Sequence, residues 1–259
     1  MQLKLISSNI RYENVHDGIH SWENRRPILQ KIITDFHPDI LATQEGREKQ
    51  IKSLCQLLPL KLVESHRQWI EDRMYPCLYI NEEQIKVKSS GDIWLSETPL
   101  TPGSFSFKST FPRLCIWMQV THLVNNQDYF VVNTHLDHVL EETRLEQIKV
   151  LIREVENLNK ENLPIILMGD FNDSPLSKVR EFILNSLDLK DPWLEVGFPE
   201  ETSHHGFKED KDKQVIGDRI DWILVPQAFA VEEIYLEKKS FNGIFPSDHY
   251  PLLATVIPR

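Results

Sequence analysis

Several large classes of protein are excluded by what this 259-residue chain does not contain. No apolar run approaches the ~20 residues needed to cross a bilayer. Met1 leads almost directly into the strand-like Leu3-Lys4-Leu5-Ile6, without a signal-peptide pattern. A soluble, cytoplasmic chain with no membrane span is therefore expected. Cysteine is scarce: Cys55, Cys77 and Cys115 are odd in number, show no C-x-x-C spacing and lie within or beside apolar stretches. This pattern points to buried free thiols in a reducing compartment rather than to a disulfide framework.

Positive charge is also short. With 29 Lys and Arg against 39 Asp and Glu, the net charge of −10 opposes tight nonspecific adhesion to duplex nucleic acid, which depends on cationic side chains displacing counterions. Phosphate substrates stay open, because carboxylates gathered around a metal ion reverse the local field. Internal repeats, low-complexity tracts and long linkers are absent, so one domain over residues 1–259, acting as a monomer, is the expectation.

What the chain does contain is average for a soluble globular protein, with 41% apolar and 26% charged residues. Short apolar runs rich in β-branched residues predict strands at 116–120, 129–132, 165–168, 220–225 and 252–257. Ile28, Leu29, Ile32, Ile33 and Phe36 make one helical face that should end before Pro38. From about Glu141 to Lys160, Leu145, Ile148, Ile152, Val155 and Leu158 form a stripe at three- and four-residue steps, as expected of a helix lying on a sheet. The polar segment Ser203 to Asp218 reads as a loop. Strands in excess, with helices covering the outer faces of packed sheets, is the simplest architecture.

The informative feature is where polar clusters stand. Leu3 to Ser7 leads into Asn9, Asp39-Ile40-Leu41-Ala42 into Gln44-Glu45, and Tyr129 to Val132 into Asn133-Thr134-His135-Leu136-Asp137. Pro164 to Met168 runs into Gly169-Asp170-Phe171-Asn172, and Ser247-Asp248-His249 immediately precedes the run from Tyr250 to Val256. Asp221, flanked by Ile220 and Trp222, is a carboxylate in apolar surroundings that needs a buried partner, for which a histidine is the natural candidate. Each cluster alone has an ordinary explanation: an Asx turn after Gly169, a helix-terminal acid at Glu45, a structural histidine at His135. One active site explains all of them together. Glu45, Asp248 and Asn9 offer oxygen ligands without a thiolate, which favours a hard ion, Mg²⁺ or Mn²⁺.

As an ordered set, Ser8-Asn9-Ile10, Gln44-Glu45, Asn133-Thr134-His135, Gly169-Asp170-Phe171-Asn172, Ile220-Asp221-Trp222-Ile223 and Ser247-Asp248-His249 resemble the motifs of the endonuclease/exonuclease/phosphatase superfamily. The resemblance spans residues 8 to 249. It implies a four-layered α/β sandwich like that of deoxyribonuclease I: two packed, mainly antiparallel sheets flanked by helices, with the site at one edge. It also implies roles. Glu45 resembles the principal metal ligand, with Asn9 and Asp248 nearby. Asp170 and Asn172 resemble the pair that holds water and phosphate, His249 the histidine at the scissile phosphate, and Asp221 the carboxylate that orients it. His135 matches a second catalytic histidine of the deoxyribonuclease and deadenylase branches, where abasic-site endonucleases have a tyrosine.

Three further segments, 21–25, 93–99 and 111–113, look most like a compact microbial subgroup whose substrate the sequence does not name. They make Arg25 and Arg113 candidate substrate contacts, whereas Trp22 and Trp94 are expected to pack. The resulting expectation is a metal-dependent hydrolase of a phosphodiester, nuclease-like, with nucleic acid a possible substrate. The alternatives are a phosphomonoesterase or small-molecule phosphodiesterase and, outside enzymology, a silent binding module of the same fold.

Overall fold

A computed structural model of the protein describes residues 2–208 and 217–259, so residues 209–216 of the expected loop lie outside the described residues. There are two six-stranded sheets. The first holds, in spatial order, β11 (Ala230–Leu236), β12 (Leu252–Ile257), β1 (Leu3–Asn9), β2 (Ile40–Gly46), β4 (Tyr75–Ile80) and β3 (Lys61–Leu62). The second holds β5 (Ile85–Trp94), β6 (Leu114–His122), β7 (Gln127–His135), β8 (Ile165–Asp170), β10 (Asp221–Pro226) and β9 (Leu189–Lys190). Only β1–β2 and β7–β8 are parallel among the named pairs; the rest are antiparallel.

Period-two alternation decides which side chains fill which layer. Leu3 and Leu5 of β1 meet Ile116, Met118, Ile166 and Met168 between the sheets, whereas Ile6 turns the other way with Leu41 and Tyr79. That outer face is covered by α1 (Trp22–Phe36) and α2 (Glu48–Cys55) through Leu29, Ile33, Ile51 and Leu54. The far face of the second sheet carries α3 (Glu141–Leu158) and α4 (Lys178–Ser186), whose Ile148, Leu151, Val155, Val179 and Ile183 pack on Phe130, Val132 and Leu167. A short α5 (Pro192–Val196) follows β9. Each fully buried aliphatic side chain stabilises the fold by about 1.5–3 kcal/mol, so the frame rests on these three apolar layers more than on its loops. The arrangement is the expected four-layered α/β sandwich.

Helix α1 stops at Phe36, where His37 takes a left-handed conformation (φ 54°) ahead of Pro38, and α3 ends two residues before the expected Lys160. Trp22 and Trp94 are buried and pack, and all three cysteines are free. Among the described residues no helix is long and apolar enough to cross a membrane. Where the sheets meet near the site, Gln44 donates to Asn133 Oδ1 (2.7 Å), and Asn133 donates to the carbonyls of Thr43 (2.9 Å) and Cys77 (2.8 Å). This buried amide pair fixes the spacing of the two sheets beside the site.

Candidate active site

Strand register brings the polar clusters to one edge. In the second sheet His135 pairs with Asp170 across β7–β8, and Asp170 pairs with Asp221 across β8–β10, so three functional groups stand in one row. In the first sheet Asn9 ends β1 opposite Gln44. The β2–β4 register slips between Thr43 and Gly46, and within that irregularity Glu45 has φ 66°. A bulge re-aims a side chain that regular alternation would send elsewhere, and the strained backbone costs about 1–3 kcal/mol. Arg11 (φ 49°) and Asn172 (φ 51°) share that conformation.

Gly169 supplies the close approach that sets Asp170 against His135. Its φ is 149°, and a Cβ there would lie 2.2 Å from the Thr134 carbonyl oxygen. Gly169→Ala is accordingly expected to destabilise the fold by ~1–3 kcal/mol, the usual cost of forcing extra volume into a packed site. Chemical denaturation measures it; an unchanged midpoint would show that β7 and β8 can separate freely.

The side chains converge closely. Asn9 Nδ2 donates to Asp170 Oδ2 (2.9 Å) and Glu45 Oε1 (3.1 Å), while its Oδ1 accepts from Arg11 N (2.9 Å). Asp170 Oδ1 accepts from Asn172 N (2.9 Å), and Asn172 Nδ2 donates to the Leu136 carbonyl (3.0 Å). His135 Nε2 lies 3.5 Å from Asp170 Oδ2. His249 Nδ1 stands 2.8 Å from Asp221 Oδ2, which is the pairing expected between residues 28 apart in sequence. Ser203 Oγ accepts from Asp221 N (3.2 Å) and Ile220 N (3.0 Å), anchoring the start of β10.

Burial separates the charge states of these groups. Asp170 is pushed up to about 7 by desolvation and by the neighbouring Asp221 carboxylate. Burial alone would push His249 down, but the Asp221 carboxylate and its hydrogen bond outweigh it and hold the imidazolium up to about 10. His135 goes the opposite way, well below its usual value, through burial and then the adjacent Arg113. One histidine is thus charged and the other neutral within a single site.

Glu45, His135 and Asp170 each offer a ligand atom within 4.8 Å of the others. Two carboxylates and a neutral imidazole suit a hard divalent cation. The expected ligand set differs in part from this group. Asp248 is held elsewhere: its Oδ2 accepts from Arg11 Nη1 (2.7 Å) and lies 3.7 Å from His204 Nε2. Despite burial, His204, His249 and Arg11 keep its carboxyl well below the usual range. Asn9 turns its amide nitrogen, not its oxygen, to the carboxylates.

Arg113 and Arg25 part company. Arg113 lines the cavity above the cluster, which holds about 530 Å³. Its Nε has no hydrogen-bond partner and its Nη2 lies 3.4 Å from His138 Nδ1. Its loop is fixed by Asp137, whose carboxylate accepts from Thr110 N (2.8 Å) and Val139 N (2.9 Å). The substrate-contact expectation for Arg25 has to be corrected. Arg25 is fully buried and donates to the carbonyls of His20 (2.6 Å), Ile10 (2.7 Å), Pro246 (3.0 Å) and Arg11 (3.2 Å). Desolvation pushes its guanidinium down to about 10, yet it clamps two site loops together. Arg25→Met keeps the volume and strips these carbonyls of their donor, so a loss of at least about 3 kcal/mol is expected in urea melts, given that each bond to a charged group is worth roughly 1.5–3 kcal/mol. A melt matching wild type would remove the clamp reading.

Sequence reasoning passed over Arg11 and His204, both of which line the cavity. Arg11 follows Asn9-Ile10 directly, and that adjacency was the available signal; His204 lies in a polar loop that carries none.

Comparison with known proteins agrees with this geometry. The family model described as "Endonuclease/Exonuclease/phosphatase family" matches residues 6–249. An endonuclease/exonuclease/phosphatase structure from Bacteroides vulgatus superposes with a TM-score of 0.90 at 25% identity, covering 100% of both chains. A functionally unknown conserved protein from Enterococcus faecalis V583 gives 0.87 at 25% identity over 99% of this chain and 100% of its own. A mannosyl-6-phosphatase from Bacteroides thetaiotaomicron VPI-5482 gives 0.87 at 23% identity, covering 98% and 99%. Matched from β1 to His249, with its clustered carboxylates and histidines at the edge of the sandwich, this chain belongs to the endonuclease/exonuclease/phosphatase family.

Proposed function

We propose that the protein is a divalent-metal-dependent hydrolase of a phosphate ester, attacking phosphorus in line with water. The observation that supports this best is the convergence of Glu45, His135 and Asp170, with ligand atoms within 4.8 Å of one another, beside the 2.8 Å Asp221–His249 pair. Glu45, with His135 and Asp170 beside it, would hold Mg²⁺ or Mn²⁺, which supplies Lewis-acid polarisation of the phosphoryl group when bound. Asp170 and Asn172 orient the water, and the Asp170 carboxylate stands as the base for its proton. His249, held charged by Asp221, donates to the phosphoryl oxygen as negative charge builds on it. Arg113 contacts the phosphate from the wall, with no carboxylate partner among the described residues to compete for it.

A diesterase of the nuclease type was the first expectation. The cavity favours the alternative, a small phosphate ester: eight loops contribute to a site of about 530 Å³, a volume suited to a small ligand, and the chain carries a net charge of −10. The relative from Bacteroides thetaiotaomicron, whose own activity is on a mannosyl 6-phosphate, supports a small-ester reading as well. Hydrolysis of p-nitrophenyl phosphate and of bis(p-nitrophenyl) phosphate, each with Mg²⁺, Mn²⁺ and chelator, tests the function. No metal-stimulated turnover of either ester would refute it.

Asp221→Asn should lower turnover roughly 10–100-fold, the scale seen when the orienting partner of a working histidine is lost. It should also move the His249 titration to lower pH, because the carboxylate that favours imidazolium is gone. Proton NMR of the histidine ring follows the shift; an unmoved titration with an unaltered rate contradicts the assignment.

A further inference from the structure

Four arginines line the cavity, beside four carboxylates. Of its arginines, Arg11 is neutralised by Asp17 (2.9 Å) and Asp248 (2.7 Å), and Arg113 stands beside His138 in the turn before β6. Arg47 and Arg73 remain, and among the described residues neither forms an ion pair. Gly46 pairs with Tyr75 across β2–β4, and the segments that continue from that pair, Arg47 on one side and Arg73-Met74 on the other, line the same cavity. The Arg47 guanidinium lies 5.0 Å from the centre of the Tyr12 ring, and its buried Nε has no partner. Asp72 lines this wall too, yet it pairs with neither arginine. The pair is carried on the loops after β2 and before β4, whereas Arg113 and His138 are carried on loops of the second sheet.

Two planar guanidinium groups without counter-charge in a small cavity match a tetrahedral dianion, to which each can donate two hydrogen bonds. The cation–π contact with Tyr12 helps to hold the Arg47 guanidinium in place at the cavity. We propose that Arg47 and Arg73, backed by Tyr12, form a second anion subsite, so that the ester taken by this cavity carries a second phosphoryl group apart from the one under attack. This rests on the phosphoesterase reading and narrows it to small bisphosphorylated molecules. A substrate with one phosphate would leave both arginines facing water, and one with two would satisfy them.

Calorimetric binding in Mg²⁺ tests the subsite without turnover if it is done in the Asp170→Asn background. Two matched pairs separate the scaffold from the anion: adenosine 3′,5′-bisphosphate against adenosine 5′-monophosphate, and fructose 1,6-bisphosphate against fructose 6-phosphate. The bisphosphate is expected to bind at least roughly tenfold more tightly in one or both pairs, the scale of one added charge-assisted contact. Adding Arg47→Gln and Arg73→Gln should bring that ratio to about one. Equal affinities before the arginines are changed, or a preference that survives their loss, would overturn the subsite. If the double change unfolds the protein, Arg73→Gln alone should reduce the ratio part-way, and an unreduced ratio counts against the proposal. Failure of wild type to hydrolyse either p-nitrophenyl ester while the preference persists would sink the enzyme reading and leave the subsite standing.

Discussion

Asp170→Asn is expected to lower turnover by roughly 10²–10⁴-fold, the contribution typical of a positioned acid or base. The substitution keeps the size and the acceptor for Asn172 N, and it removes the charge that takes a proton from water. It should also separate activity from stability. The folded protein holds the Asp170 proton up to about pH 7, whereas an unfolded carboxyl releases it near the ordinary value of 3.8. Stability linked to this group is therefore full below about pH 4, falls between those values and is lowest above pH 7. Asparagine has no proton to lose. In chelator, the variant should melt above wild type at pH 8, with the difference shrinking toward pH 4. Thermal melts at both pH values decide it: a variant that melts below wild type at pH 8, or one that retains more than about half of wild-type turnover, would contradict the assigned role.

Glu45→Ala should cost still more, at least roughly 10³-fold, because a metal ion contributes several kcal/mol of charge stabilisation and Glu45, presented by the bulge, is the carboxylate proposed to hold it. The same side chain accepts from Asn9 Nδ2 (3.1 Å) and Tyr12 N (3.1 Å), so alanine also frees two donors at the cavity floor. Mn²⁺ binding followed by calorimetry should weaken in parallel with activity. If affinity for Mn²⁺ is unchanged, or if wild type turns over undiminished in excess chelator, Glu45 is not the ligand it is taken to be.

The strands that carry the site were legible because each is a buried run ending in a polar cluster. Asn9, Glu45, His135 and Asp170 all stand at or near such ends. Helix α3 was legible from its stripe, while α2 and α4, at 8 and 9 residues, are too short for periodicity to stand out. Strand order was not legible from composition, since β1 pairs with β12 across almost the whole chain and no local signal encodes that contact. Arg25 shows how a motif can mislead when its position is not weighed. The buried residues of α1 are Trp22, Arg25, Leu29, Ile32, Ile33 and Phe36, so Arg25 lies on the apolar stripe itself and its inward orientation was readable from spacing. Glu45 does stand near the end of β2, but the bulge that aims its side chain depends on pairing with β4 and could not be foreseen from residues 40–46 alone.

The position of β1 between β12 and β2 bears on how the chain assembles during synthesis. Any nascent fragment ending before Leu252 leaves β1 and β11 with open edges, and such edges recruit strands from neighbouring chains. Completion of the first sheet thus waits for the most distant contact in sequence, a slow kind of closure. Truncated products and stalled translation should be where this protein aggregates, even though the finished fold buries those same edges.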